Sequence, residues 1–110
     1  MLSLSKSEKR ELRMLASEAY KVELAKELEK LEADFMFWHK GDISALDLDD
    51  RIQEYYSGSR KQLYNFYQTQ NQPEAVVARA VALDLIARDR LSSEVGEKIG
   101  HLIQFFKGNA

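Results

Sequence analysis

The sequence predicts an all-α, four-helix domain whose long N-terminal helix projects beyond the rest of the fold, with dimerisation as the natural consequence. Three observations carry this. One proline and five glycines leave 110 residues with few interruptions. No proline or glycine occurs anywhere between Ser5 and His39. Apolar residues recur at steps of three and four along the chain, which marks helix faces and not alternating strands. With 45% apolar and 31% charged residues the composition is that of a globule, and the length suits one domain, 1–110, around a single core.

The first helix is expected over 5–39. Ser5 and Glu8 have capping-box spacing, and Gly41 suits the left-handed position that follows a helix. Glu18/Lys21, Glu23/Lys26 and Glu27/Lys30 are opposite charges three apart, which supports an exposed helix. Such a helix is roughly 50 Å long at ~1.5 Å per residue, whereas a compact domain of this size is about 35 Å across. It carries two apolar stripes. Leu24, Leu28, Leu31, Phe35 and Trp38 form one, and Leu12, Leu15, Ala19 and Val22 form another, rotated well over a quarter turn from the first at about 100° per residue. Two faces call for two partners, and a second copy is the simplest second partner. The alternatives are a bend near Val22–Leu24, or one broad face widened by Ala16 and Tyr20.

The second helix is expected over 45–70. Ser44 can cap it, Asp47 lies in its first turn where the helix dipole favours acid, and Ile43 and Leu48 have hydrophobic-staple spacing. The stretch "EYYSGSRKQLYNFY", residues 54–67, crowds aromatic rings around Arg60 and Lys61 in the manner of a binding site. Counted at helical period, however, Leu63, Phe66 and Tyr67 share a face with Leu48, Ile52 and Tyr55. The helix is therefore read straight through Gly58, at about 1 kcal/mol relative to alanine. On this reading Tyr55, Tyr56, Phe66 and Tyr67 are inner wall, and Tyr64 is the ring left outside.

The third helix, 73–90, follows the punctuation "QTQNQPE", with Pro73 at a first-turn position. From Ala75 to Ala87 only Arg79 and Asp84 are not apolar, so this helix is expected at the buried centre. The fourth, 93–107, places Val95, Ile99, Leu102, Ile103 and Phe106 on one face, with Gly108 beyond its end. Gly96 and Gly100 have the spacing of a close helix crossing.

Several function classes find no support. The absence of cysteine removes disulfides, thiol nucleophiles and cysteine-ligated zinc. His39 and His101 lack a ligand cluster, Glu97 and His101 together being two ligands and not a site. "DLDDRIQE", 47–54, has the acidity of a calcium loop, but position twelve counted from Asp47 is Gly58 and the central glycine is missing. The serines fall at helix starts, where capping accounts for them, and neither a phosphate loop nor a nucleophile elbow occurs. Asp84, in the most apolar helix, is expected in a buried ion pair with Arg88 or with a charge from another helix. No cofactor or metal is expected. The charged start of the chain does not resemble a secretory signal, and the longest apolar run is too short and too charged for a bilayer, so a cytoplasmic location without membrane contact is expected.

The leading expectation is thus a non-enzymatic protein acting through protein–protein contacts as a homodimer, with Leu12, Leu15, Ala19 and Val22 as the association stripe. The alternative is a nucleic-acid-associated regulator. For that role Lys6, Lys9, Arg10 and Arg13 share one face of the first turns of helix one and can meet phosphates. A net charge of -2 gives no global drive toward polyanions, and Glu94 and Glu97 spoil the last helix as a reading helix. The same basic stripe can instead meet the acidic start of helix two, Asp42, Asp47, Asp49 and Asp50, in a neighbouring subunit. A small-molecule or enzymatic bundle, with a Tyr/Trp-lined gap between helices one and two, is the third reading.

Overall fold

The computed structural model describes residues 3–70 and 72–108, so Asn71, within the predicted punctuation before Pro73, lies outside the described residues. The architecture is all-helical: α1 (Lys6–His39), α2 (Ala45–Glu54), a π-turn (Tyr55–Ser59), α3 (Arg60–Asn65), a second π-turn (Phe66–Gln70), α4 (Pro73–Ala82), a short 3-10 turn (Arg88–Arg90) and α5 (Ser93–Gly108). The segments from α2 through the second π-turn run on as one rod, so the chain makes four helical rods. The molecule measures 54 × 23 × 23 Å, and its radius of gyration of 17.3 Å exceeds the about 13 Å of a compact chain of this length. The excess is α1, which is unbroken through Val22–Leu24 and spans the long axis.

Local chemistry sets the ends of α1. Ser5 Oγ accepts from the Glu8 N–H at 3.1 Å, while Glu8 Oε1 accepts from the Ser5 N–H at 2.7 Å. At the other end the Gly41 N–H donates to the Trp38 carbonyl at 3.0 Å and the Asp42 N–H to the Phe37 carbonyl at 2.9 Å. This paired closure requires a left-handed residue between, and Gly41 supplies it at φ +83°. Ser44 and Asp47 form a second reciprocal capping box at the start of α2, both bonds 3.0 Å.

The core lies at one end of the molecule. Leu12, Leu15 and Ala19 of α1 pack with Val77, Ala80 and Val81 of α4 and with Val95, Ile99 and Ile103 of α5. The first half of α1 is therefore walled by α4 and α5, with Tyr67 beside it. The second half meets the rod that begins with α2, including its π-turn and α3.

Two departures from the sequence expectation change how the faces point. The third helix stops at Ala82, well short of 90. The Leu85 N–H donates to the Ala80 carbonyl at 2.8 Å and the Asp84 N–H to the Val81 carbonyl at 3.1 Å, the same paired closure as at Gly41. Here the left-handed residue is Asp84, at φ +60°. The closure folds Leu85 and Ile86 back onto the core. Asp84 is consequently an exposed cap residue, and the expected buried ion pair with Arg88 does not form. Arg88 instead reaches the Gly96 carbonyl at 3.4 Å.

The second departure is at Tyr55–Ser59. The Arg60 N–H donates to the Tyr55 carbonyl five residues back. A π-turn absorbs about one residue, so everything after it is rotated by about 100° relative to an uninterrupted α-helix. Tyr67 is thereby brought onto α1, where it stacks on Tyr20 at 5.1 Å, and Phe66 turns to the side of α4 beneath the Arg79 guanidinium at 4.6 Å. Tyr56, expected in the inner wall, is left outside, with Arg60 over its ring at 4.8 Å. Gly96 and Gly100 mark no helix crossing: a Cβ at either would meet Leu91 at 3.9 Å or Arg88 at 3.8 Å, both ordinary contacts.

Candidate functional site

Several charged residues of the proximal block, the first half of α1 with α4 and α5, are engaged with one another. Glu8, largely buried, accepts from Lys98 at 2.7 Å, and Lys98 also donates to the Ser3 carbonyl at 2.8 Å. Arg90 grips Glu18 through two bonds of 2.8 and 2.9 Å. Arg79 pairs with Glu23 at 2.7 Å, and the Tyr67 hydroxyl donates to the same Glu23 oxygen. Burial, and then the adjacent Glu23 carboxylate, push the Tyr67 phenol well above its ordinary value. The hydroxyl stays protonated as a donor, which suits a clasp between three rods and not a general base. Of the three predicted pairs along α1, Glu27–Lys30 forms at 2.6 Å, while Glu18 and Glu23 turn instead to Arg90 and Arg79.

The hollows are shallow in chemistry. One of about 630 Å³ has Leu63, Phe66 and Leu83 on its apolar part, and Lys26 and Lys30 stand beside Glu23 and Glu27 on its rim. Alternating charges of that kind select neither anions nor cations. The gap between α1 and α2, about 330 Å³, was expected to be lined by Tyr and Trp. Tyr55 is its one ring, beside Glu27, Lys30, Asp34, Arg51 and Glu54. Among the described residues no three His, Asp or Glu side chains come together as metal ligands. His39 is exposed against Trp38 at 4.8 Å, and His101 is exposed on α5. No helix among the described residues is long and apolar enough to cross a membrane.

The predicted association stripe is corrected by burial. Leu12, Leu15 and Ala19 are wholly inaccessible within one chain, because α4 and α5 occupy the face that the sequence reading assigns to a second copy; Val22 is half-buried. These residues hold the chain's own core and are closed to a second copy. Lys6, Lys9, Arg10 and Arg13 are exposed as expected, and they make no ion pair among the described residues.

The open apolar surface is elsewhere, on the distal arm formed by residues 24–39 of α1 and by α2. Leu48 and Tyr55 turn inward toward α1, and Arg51 bonds Asp34 at 2.7 Å along one edge of the contact. Phe35 and Ile52 each follow a member of that ion pair by one residue, about 100° of rotation. Because α1 and α2 run antiparallel, both rotations lead to the same side of the hairpin, opposite the Asp34–Arg51 edge. Leu28 and Tyr56 lie on that side with them. Their exposures are 45% for Leu28, 38% for Phe35, 36% for Ile52 and 59% for Tyr56. Phe37, Trp38 and Leu46 add exposed apolar surface at the tip. The sequence did single out Leu28, Phe35 and Trp38 as one stripe; the signal missed was that a single partner helix is too narrow to cover it.

Comparison with protein-family models, with curated proteins and with solved structures gave no match to this chain.

Proposed function

We propose that this protein is a non-catalytic interaction module that works by protein–protein contact through its distal arm. The observation that supports this most is the row formed by Leu28, Phe35, Ile52 and Tyr56, an apolar face of two antiparallel helices with no third element over it. Exposed contiguous apolar surface of this kind is costly in water and marks a contact face. The shifted titrating groups of the proximal block, by contrast, are engaged in ion pairs and hydrogen bonds that join helices, which is structural work.

The test is a photo-cross-linking amino acid placed at Phe35, with the same group at the exposed Glu94 on α5 as control. Covalent adducts to protein in the producing cell should be several-fold more abundant from position 35. Equal yields from the two positions would sink the reading. A second reading, nucleic-acid contact by Lys6, Lys9, Arg10 and Arg13, is favoured by their common exposure without ion-pair partners. It requires binding whose logarithm falls with log salt by about 0.9 per phosphate neutralised on duplex DNA. Absence of any low-salt gel shift removes it.

A further inference from the structure

Granted that the arm is a contact face, we infer that its occupant is a second copy of this chain, docked antiparallel along α1. The face does not end with the arm. Met14, Lys21, Leu28 and Phe35 are spaced by seven, which is two helical turns to within about 20°, so they line up along α1. All four are exposed, Met14 at 54%. Glu23 lies on nearly the same angle as Asp34, and its bond to Arg79 places α4 on that edge of α1, so the Met14–Phe35 row runs free of the proximal block.

The row is self-complementary. Its midpoint lies between Leu24 and Ala25, and a two-fold axis there sets Phe35 against the second copy's Met14 and Leu28 against the second copy's Lys21. A lysine stem can lie along an apolar side chain while its ammonium reaches water. In the same arrangement Ile52 and Tyr56 flank the seam, and each α1 with the rod beside it, which runs past the midpoint to Tyr20, stacks as a two-helix layer on the other's. A strip about 32 Å long and two helices wide covers about 600 Å² per copy, or about 1,200 Å² in all, at the lower end of stable interfaces.

Charge agrees with this register. Asp42, Asp49 and Asp50 make no ion pair among the described residues, and neither do Lys6, Lys9, Arg10 and Arg13. The Asp34–Arg51 bond puts Asp49 and Asp50 level with the residues just after Asp34. The acidic end therefore spans about 16–25 Å beyond the midpoint and the basic end about 17–28 Å before it, at ~1.5 Å per residue. Antiparallel docking brings each unpaired acidic end to the partner's unpaired basic end. Parallel docking would stack like charges.

The absence of native cysteine makes the register directly testable. Met14→Cys and Phe35→Cys chains, mixed and mildly oxidised, should cross-link to each other at least about tenfold more than either does alone. Sedimentation equilibrium should show a dimer in the micromolar range, weakened at least about tenfold by Leu28→Lys, which sets like charges together at the second copy's Lys21. Circular dichroism checks that variant's fold, and the cysteine mixture stands independently if it fails to fold. Preferential Phe35→Cys self-cross-linking would overturn the antiparallel register. A chain that remains monomeric at 100-fold higher concentration (about 100 µM against a ~1 µM expectation) would overturn self-association. In that case adducts from position 35 to other proteins would still uphold the arm as a contact face, and their absence would remove both readings.

Discussion

In the first half of α1, Leu12, Leu15 and Ala19 are completely buried, whereas in the second half Leu28, Phe35 and Trp38 remain 45%, 38% and 39% exposed. The second stripe is longer and richer in aromatic rings, yet it is the less buried of the two. What differs is the number of neighbours. Around the first half α4 and α5 close one side while Tyr67 packs on Tyr20; around the second half the companion among the described residues is one rod, α2 running on through the π-turn into α3. Burial along one continuous helix thus follows what packs beside it and not how apolar its own face is. The exposed half is also where a partner gains the most by binding.

The strongest way to break this contrast is truncation on each side of it. Leu15→Ala should cost about 2–5 kcal/mol in urea unfolding, because it opens a cavity in a sealed core. Phe35→Ala, measured where the chain is monomeric, should cost about 1 kcal/mol or less, since its ring is already partly in water. Equal losses would mean that the arm is as tightly packed as the block. The two left-handed caps give a finer comparison. Gly41→Ala should destabilise by about 1 kcal/mol, and Asp84→Gly should stabilise by up to about 1 kcal/mol, as a Cβ is lost from a left-handed position. Thermal melts of the two variants should move in opposite directions.

Tyr67→Phe probes the junction between the halves. It removes the hydroxyl that donates to Glu23 while keeping the stack on Tyr20, and should cost about 1 kcal/mol. A neutral outcome would mean that Arg79 alone satisfies Glu23. The smallest effect is expected from pH. The Lys98 hydrogen bond, then the Ser5 backbone N–H, hold the Glu8 carboxyl below its ordinary 4.5, and Arg90 does the same for Glu18. A carboxyl with a lowered folded-state value contributes stability that is complete above its unfolded value and lost as pH falls through the folded one. Glu8→Gln should therefore be less stable than the parent chain near neutrality, with the gap closing as pH drops below about 4.5. A gap that stays constant with acid would show that Lys98 holds Glu8 only loosely.

What could be read in the sequence was local. The capping box Ser5–Glu8, the Ser44 cap with Asp47 in the first turn, the left-handed Gly41 and the first-turn Pro73 involve residues within one or two turns, and their partners are fixed as soon as a helix forms. The apolar face of α5 was legible for the same reason of helical period. Of the candidate site, the exposed basic turn and the Leu28–Phe35–Trp38 stripe were visible, but which stripe would remain open was not.

That choice was made by contacts between distant parts of the chain: Glu23 with Arg79, Glu18 with Arg90, Glu8 with Lys98. Each ties α4, the 3-10 turn or α5 to α1 beside the shared apolar core, and burial of that core decides which face is sealed. The end of α4 at Ala82 belongs here too, since a left-handed Asp84 becomes worthwhile only when Leu85 and Ile86 gain a core to fold onto. So does the π-turn at Tyr55–Ser59, which trades regular helix geometry for placing Tyr67 on Tyr20 and Phe66 under Arg79. The sequence by itself determined the helices and most of their ends, because those depend on hydrogen bonds a few residues apart. Only the tertiary structure decided the buried face and the open one, because covering a face depends on the position of helices that the periodicity of one segment does not specify.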